Sequence, residues 1–276
     1  MLQKFIPLAI GKYLQVKAII TPKKAIHEAF NIFCTPRKGK STKKHQEFFD
    51  TSLEERIETN EHQIQTYTWV GENKTILLLH GWESNSYRWK NLILELQKNN
   101  YNIIAVDAPG QGNSSGKYLS VPLYTECVKN IIEYHKPSII IGHSLGGMTA
   151  IYQQYKHKNS CVKKVITLGP PSELSFFMKS FQQTIGVSDK FMDKLESYLK
   201  KRFGFYSKEF SIAKFAKQIN IDGLLILEKN DKLAPYKYSK RIAENWQNCE
   251  LFTVEGVGHS LQSNIINKKI VTYINS

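Results

Sequence analysis

A chain of 276 residues can bury one α/β core with an insertion, and its 41% hydrophobic and 12% aromatic content is that of a globular rather than a disordered protein. The formal net charge of +14 invites a nucleic-acid reading, but only Arg37, Arg56, Arg88, Arg202 and Arg241 are arginines and the other basic residues are scattered lysines. Arginine is the preferred fork for phosphates and base edges, so the composition argues against nucleic acid and for a lysine-rich solvated surface.

In chain order, residues 1–45 read as a basic helical extension. Phe5, Leu8, Ala9, Tyr13, Val16 and Ile20 recur at near-helical spacing, and Pro22 and Pro36 punctuate the segment after them. This stripe is expected to pack on the main domain. Its alternative is a surface that makes peripheral contact with a membrane or lines a substrate entrance. The apolar start is short, broken by Pro7 and closed by Lys12, which makes a poor secretory signal. No run approaches the roughly 20 apolar residues of a membrane span. Residues 38–44 read as a solvated linker; they superficially suggest a phosphate loop but lack the leading strand and the upstream glycine. Cys34, Cys127, Cys161 and Cys249 form no C-x-x-C pair, which fits a reducing compartment and a cytoplasmic location.

From Phe48 onward strands and helices alternate. Strands are predicted at 63–70, 75–79, 102–106, 138–141 and 162–168, with helices at about 87–97, 123–134 and 148–155. This rhythm implies a mostly parallel sheet covered by helices on both faces. Residues 172–220 hold no strand candidate and read as a Phe- and Lys-rich helical cap, its aromatics divided between packing and a pocket wall. Strands return at 223–227 and 250–254, with helices at about 236–245 and 262–273. The expected organisation is an extension of 1–45 and an α/β domain of 46–276 that carries the cap.

The apolar run from Ser138 ends in G-x-S-x-G, filled by Gly142, Ser144 and Gly146, and a helix comes next. Such a turn holds a serine hydroxyl above the sheet at a helix N-terminus, and β-carbons two positions either side would collide with it. A serine is a weak nucleophile without a base, and the base needs an orienting group. His259, in Gly256-Val-Gly-His-Ser260 after the last strand, is the candidate base. Asp231 is the candidate orienting acid, with Glu228 its rival three residues nearer the strand. For the oxyanion, the backbone N–H of Leu145 lies beside the nucleophile, and that of Trp82 becomes available where His80-Gly81 turns the chain. A dinucleotide reading of residues 106–116 fails, because Ser115 stands where glycine is needed and Pro109 sits in the turn.

From about residue 48 to the end, this combination resembles the α/β-hydrolase fold family. His80-Gly81-Trp82 resembles its oxyanion strand, and residues 107–114 its D-x-x-G-x-G-x-S loop, with Gln111 where histidine is common. Gly142 to Gly147 resemble the elbow, Asp231 the acid turn and the Gly-x-Gly-His259 segment the base loop. The resemblance implies a serine hydrolase for carboxylic esters or related acyl substrates, acting through an acyl-enzyme on Ser144. No metal or organic cofactor is implied. The serine in the elbow disfavours the aspartate-nucleophile branches, dehalogenases and epoxide hydrolases. Lysophospholipase or monoglyceride lipase, thioesterase, aminopeptidase and perhydrolase activities stay open within the same fold, as does a non-catalytic ligand-binding role. The Phe-rich insertion points to an apolar acyl group.

Overall fold

Eight strands, the central ones aliphatic and β-branched runs, form in the computed structural model, which describes residues 2–59 and 61–276, with side chains from Ile6 onward. They are β1 (Leu53–Thr59), β2 (His62–Trp69), β3 (Asn73–Leu79), β4 (Tyr101–Val106), β5 (Ile139–His143), β6 (Lys164–Leu168), β7 (Asp222–Glu228) and β8 (Cys249–Val254). The helices begin with α1 (Leu2–Ile20), α2 (Pro22–Cys34), α3 (Lys43–Phe49), α4 (Lys90–Gln97) and α5 (Val121–His135). Then come α6 (Leu145–His157), α7 (Leu174–Ile185), α8 (Asp189–Phe203), α9 (Ile212–Ala216), α10 (Tyr236–Asn245) and α11 (Asn264–Asn275).

The strands form one sheet in the order β1-β2-β4-β3-β5-β6-β7-β8. The pairs β1·β2 and β2·β4 are antiparallel; every other pair is parallel, as the alternation predicts. Parallel strands joined by helical crossovers are covered on both faces, so β3 to β7 can be apolar without alternation. Ile76, Leu78, Ile139 and Ile141 pack with Leu92 and Leu96 of α4 and Ile266 and Ile270 of α11. The intervening Leu77, Leu79 and Ile140 are fully buried as well, on the face that α6 covers.

Strand β1 was not anticipated. Its sequence, Leu53-Glu-Glu-Arg-Ile-Glu-Thr59, is charged because it is the sheet edge and most of its side chains are exposed. Main-chain pairing to β2 holds it there, and charges on an edge discourage pairing with other chains.

The chain divides into two compact units, one of Pro36–Ser172 with Ile212–Ser276 and one of Met1–Thr35 with Glu173–Ser211. The first contains the sheet. In the second, α1 packs on α2 and α7, and α2 packs on α8. Its core is built from both chain segments: Leu14, Ile26 and Phe30 meet Met178, Phe191 and Leu195. Of the helices expected within 172–220, α7 and α8 therefore share a core with α1 and α2, whereas α9 packs against α6 and α10 in the sheet unit.

The stripe read on α1 is not the packed face. Leu8, Ala9, Tyr13, Val16 and Ile20 are exposed, and Phe5 lies outside the described side chains. The helix is apolar nearly all round, so its sequence offers two faces, and Gly11 and Leu14 on the other one are buried.

Candidate active site

In-register pairing of β3, β5, β6 and β7 brings their C-terminal ends level, with Leu79 opposite Gly142, Gly142 opposite Thr167, and Thr167 opposite Leu225. Ligands of open parallel sheets bind outside these ends. All the residues singled out in the sequence lie here: Trp82 after β3, Ser144 and Leu145 after β5, Asp231 after β7 and His259 after β8.

Ser144 has φ 51° and ψ −119°, a backbone conformation that residues with a β-carbon rarely adopt. Its N–H donates to the Leu168 carbonyl on β6 (2.8 Å), and its own carbonyl accepts the first helical bond of α6, from the Met148 N–H (3.0 Å). The elbow is pressed against the end of β3. A β-carbon at Gly146 would lie 2.2 Å from the Leu79 carbonyl oxygen, and one at Gly81 would lie 2.9 Å from Cβ of Ser144. Glycine at both positions is what lets the elbow and the Trp82 turn touch.

The His259 ring joins the serine to the acid. Its Nδ1 lies 2.6 Å from Oδ2 of Asp231 and its Nε2 lies 2.9 Å from Oγ of Ser144. A carboxylate can only accept, so Nδ1 carries the proton and Nε2 is left to accept from the serine hydroxyl. Asp231 is buried, and its Oδ1 accepts the N–H groups of Leu233 (2.8 Å) and Ala234 (2.9 Å). Burial alone would raise its pKa, but the His259 bond and these backbone donors outweigh it and hold the carboxyl below its ordinary value.

Neither the Leu145 N–H nor the Trp82 N–H donates a hydrogen bond within the described residues. Both are therefore free to donate to an incoming oxygen. Leu145 opens α6, where the helix dipole adds to the attraction for negative charge.

Glu228 takes a place other than that of an orienting acid. It is buried, and its carboxylate accepts the N–H groups of Val257 (2.8 Å), Gly256 (3.2 Å), Gly258 (3.2 Å) and Asn230 (3.2 Å). Burial would raise its pKa; the four backbone donors together lower it. Positive φ at Gly256 (83°) and Gly258 (67°) turns these successive N–H groups toward one carboxylate. The glycines of the base loop thus anchor it to Glu228.

Further residues brace the site, and of these His143 and Arg88 gave little signal in the sequence. His143, the residue before the nucleophile, donates Nε2–H to the His259 carbonyl (2.8 Å). Burial, and after it the positive charge of Arg88, push this ring well below the usual histidine range, so it is neutral. Arg88 donates to the Ser260 carbonyl (2.8 Å). His80 accepts from the Ala108 N–H at Nε2 (2.9 Å) and donates from Nδ1 to the Gly81 carbonyl (2.8 Å), fixing the turn before Trp82. The fully buried Asp107 accepts from the Ser86 N–H (2.8 Å), the Asn113 N–H (2.8 Å) and the Tyr67 hydroxyl (3.1 Å). Gln111, at the position where histidine is common, accepts from the Ser84 N–H (3.1 Å).

Comparison with known proteins bears on the family and the fold. The family model described as "Serine aminopeptidase, S33" matches residues 71–209, half of the chain. The AB hydrolase superfamily protein YisY of Bacillus subtilis is 23% identical over 264 residues, covering 80% of this chain and 98% of that protein. A bifunctional esterase/perhydrolase of Acinetobacter calcoaceticus is 22% identical over 254 residues, covering 73% of this chain and 91% of that protein. Among solved structures, an esterase from Exiguobacterium antarcticum superposes with a TM-score of 0.63 at 17% identity, covering 81% of this chain and 100% of that one, and so shares the fold. The chain belongs to the α/β-hydrolase fold family, in the branch that the serine aminopeptidase model describes, and is a hydrolase of that superfamily.

Proposed function

We propose that this protein is a serine hydrolase that cleaves carboxylic esters or related acyl substrates through an acyl-enzyme. The observation that carries this reading is the unbroken relay from Asp231 through His259 to Ser144 on a strained elbow. Oγ of Ser144 attacks the acyl carbon while its proton passes to Nε2 of His259. The carbonyl oxygen becomes an oxyanion, which accepts from the N–H groups of Leu145 and Trp82. As the tetrahedral intermediate collapses, the bond to the leaving group breaks and His259 returns the proton to that group. Water then attacks the acyl-serine with His259 again as base, releasing the acid and restoring the hydroxyl. Asp231 holds the ring in the tautomer this needs and stabilises the transient imidazolium. Each oxyanion donor contributes about 10²–10³ in kcat by analogy with other acyl-transfer sites.

The relatives named as esterases support an ester over other acyl groups, and the family description keeps aminoacyl amides in view. A fluorophosphonate probe should label Ser144 in the wild type and leave Ser144→Ala unlabelled; labelling that survives the substitution removes the assignment. A panel of p-nitrophenyl esters, acyl thioesters, monoglycerides and aminoacyl amides should rank the esters first by kcat/KM. An amide or thioester preference would redirect the substrate class and leave the nucleophile in place.

A further inference from the structure

The outward face of α1 is apolar, and nothing among the described residues covers it. Ile6, Tyr13, Val16 and Ile20 lie along one strip of the helix with Ile19 beside them, and all five are exposed. Ile19 (83%) and Ile20 (78%) are the two most exposed large hydrophobic side chains among the described residues. The helix cannot bury this face by turning about its axis, because its opposite side is committed. A β-carbon at Gly11 would lie 1.7 Å from the Ile185 carbonyl oxygen of α7, and Leu14 is fully buried in the same unit. Single exposed apolar residues are ordinary, but a continuous face of them marks a surface for something else.

The charges beside the face indicate what that is. Helix α1 contains no acidic residue, and Glu28, the one acid in residues 1–35, is taken by Lys17. Lys12 on α1 and Lys23 and Lys24 at the start of α2 are exposed and have no carboxylate partner among the described residues. No helix among the described residues is long and apolar enough to cross a membrane. An apolar strip edged by unpaired lysines matches the boundary between anionic headgroups and acyl chains. A second copy of the chain fits worse, since a two-fold pairing of this face would bring its lysines together.

We propose that the outer face of α1, with the lysines that open α2, docks this protein peripherally on an anionic lipid surface. The inference does not depend on the catalytic reading. Flotation of the full-length chain with vesicles of phosphatidylcholine alone, or with about 30% phosphatidylglycerol, tests it. The wild type should bind the anionic vesicles at least about tenfold more tightly than the neutral ones. Removing Lys12, Lys23 and Lys24 together as glutamines should weaken binding by roughly fivefold per lysine. The exposed triple substitution Val16→Ser, Ile19→Ser, Ile20→Ser should abolish flotation while leaving the melting curve and the Ser144 labelling rate unchanged. Wild-type protein that ignores both vesicle types overturns the proposal, as does a serine variant that floats like the wild type. A wild-type dimer that the serine variant turns into a monomer also overturns it, by giving the face to a second copy.

Discussion

The turn that carries Trp82 and the loop that carries His259 both leave the C-terminal edge of the sheet beside Ser144, yet they are held differently. Around Trp82 the support is shared. His80 bonds to Ala108, Gln111 accepts from Ser84, and Asp107 accepts from Ser86. Between Gly256 and Gly258 three successive N–H groups converge on the single carboxylate of Glu228, and only beyond it do His143 and Arg88 take the carbonyls of His259 and Ser260. Shared support means that losing one bond leaves the others in place. Support that converges on one ionised group fails as a unit, because removing the group takes the acceptor from several donors at once.

The largest expected effect separates the two acids near His259. Asp231→Asn should lower kcat by about 10³–10⁴, since the amide cannot hold the same tautomer. Glu228→Gln should lower kcat by roughly 10–100-fold, because it loosens the loop and leaves Asp231 bonded to the ring. Steady-state kinetics on the best ester of the panel decides; the reverse order would give the orienting role to Glu228 and undo the contrast between the loops.

Next in size is the effect on stability. Glu228→Ala should cost about 2 kcal/mol in denaturant unfolding at neutral pH, as four partly exposed N–H groups lose a charged acceptor. The pH dependence has a definite sign. The carboxyls of Glu228 and Asp231 titrate below their ordinary values in the folded chain, so the stability they contribute is complete above the unfolded carboxylate pKa. It is lost as the pH falls from about 5 through the lowered folded values. Unfolding curves at about pH 7 and about pH 4 should therefore differ more for the wild type than for Glu228→Gln, and an equal acid loss in both would show that Glu228 is not the titrating brace.

Gln111→Ala should have the smallest effect. It removes one acceptor, for Ser84, while Asp107 and His80 keep the Trp82 turn in place, so kcat should fall by less than about fivefold. A loss as large as that from Glu228→Gln would show that the Trp82 turn also depends on a single contact.

Much of the fold was legible because buried parallel strands write themselves as aliphatic runs and their helices as periodic ones. β3, β4, β5 and β7 begin and end within two residues of expectation. β1 was not legible, since an edge strand held by main-chain bonds has no need of apolar side chains. The stripe on α1 misled because periodicity reveals an apolar face and does not say which way it points. At the site, Glu228 was noticed as a carboxylate close to Asp231, but its role rests on donors that come from 28 to 30 residues further along the chain.

What the sequence determined by itself was local: a glycine-flanked serine at a strand-to-helix turn, a histidine and an aspartate after later strands, and glycines where backbones must approach closely. Each arises from short-range sterics and hydrogen bonding, which residue type and spacing report. The tertiary structure alone decided how those pieces meet. It set the 2.6 Å and 2.9 Å distances that link Asp231, His259 and Ser144. It also chose the packed face of α1 and turned the second acid into the anchor of the base loop. Those outcomes depend on strand register and on the direction of buried side chains, and both arise from contacts between residues far apart in the chain.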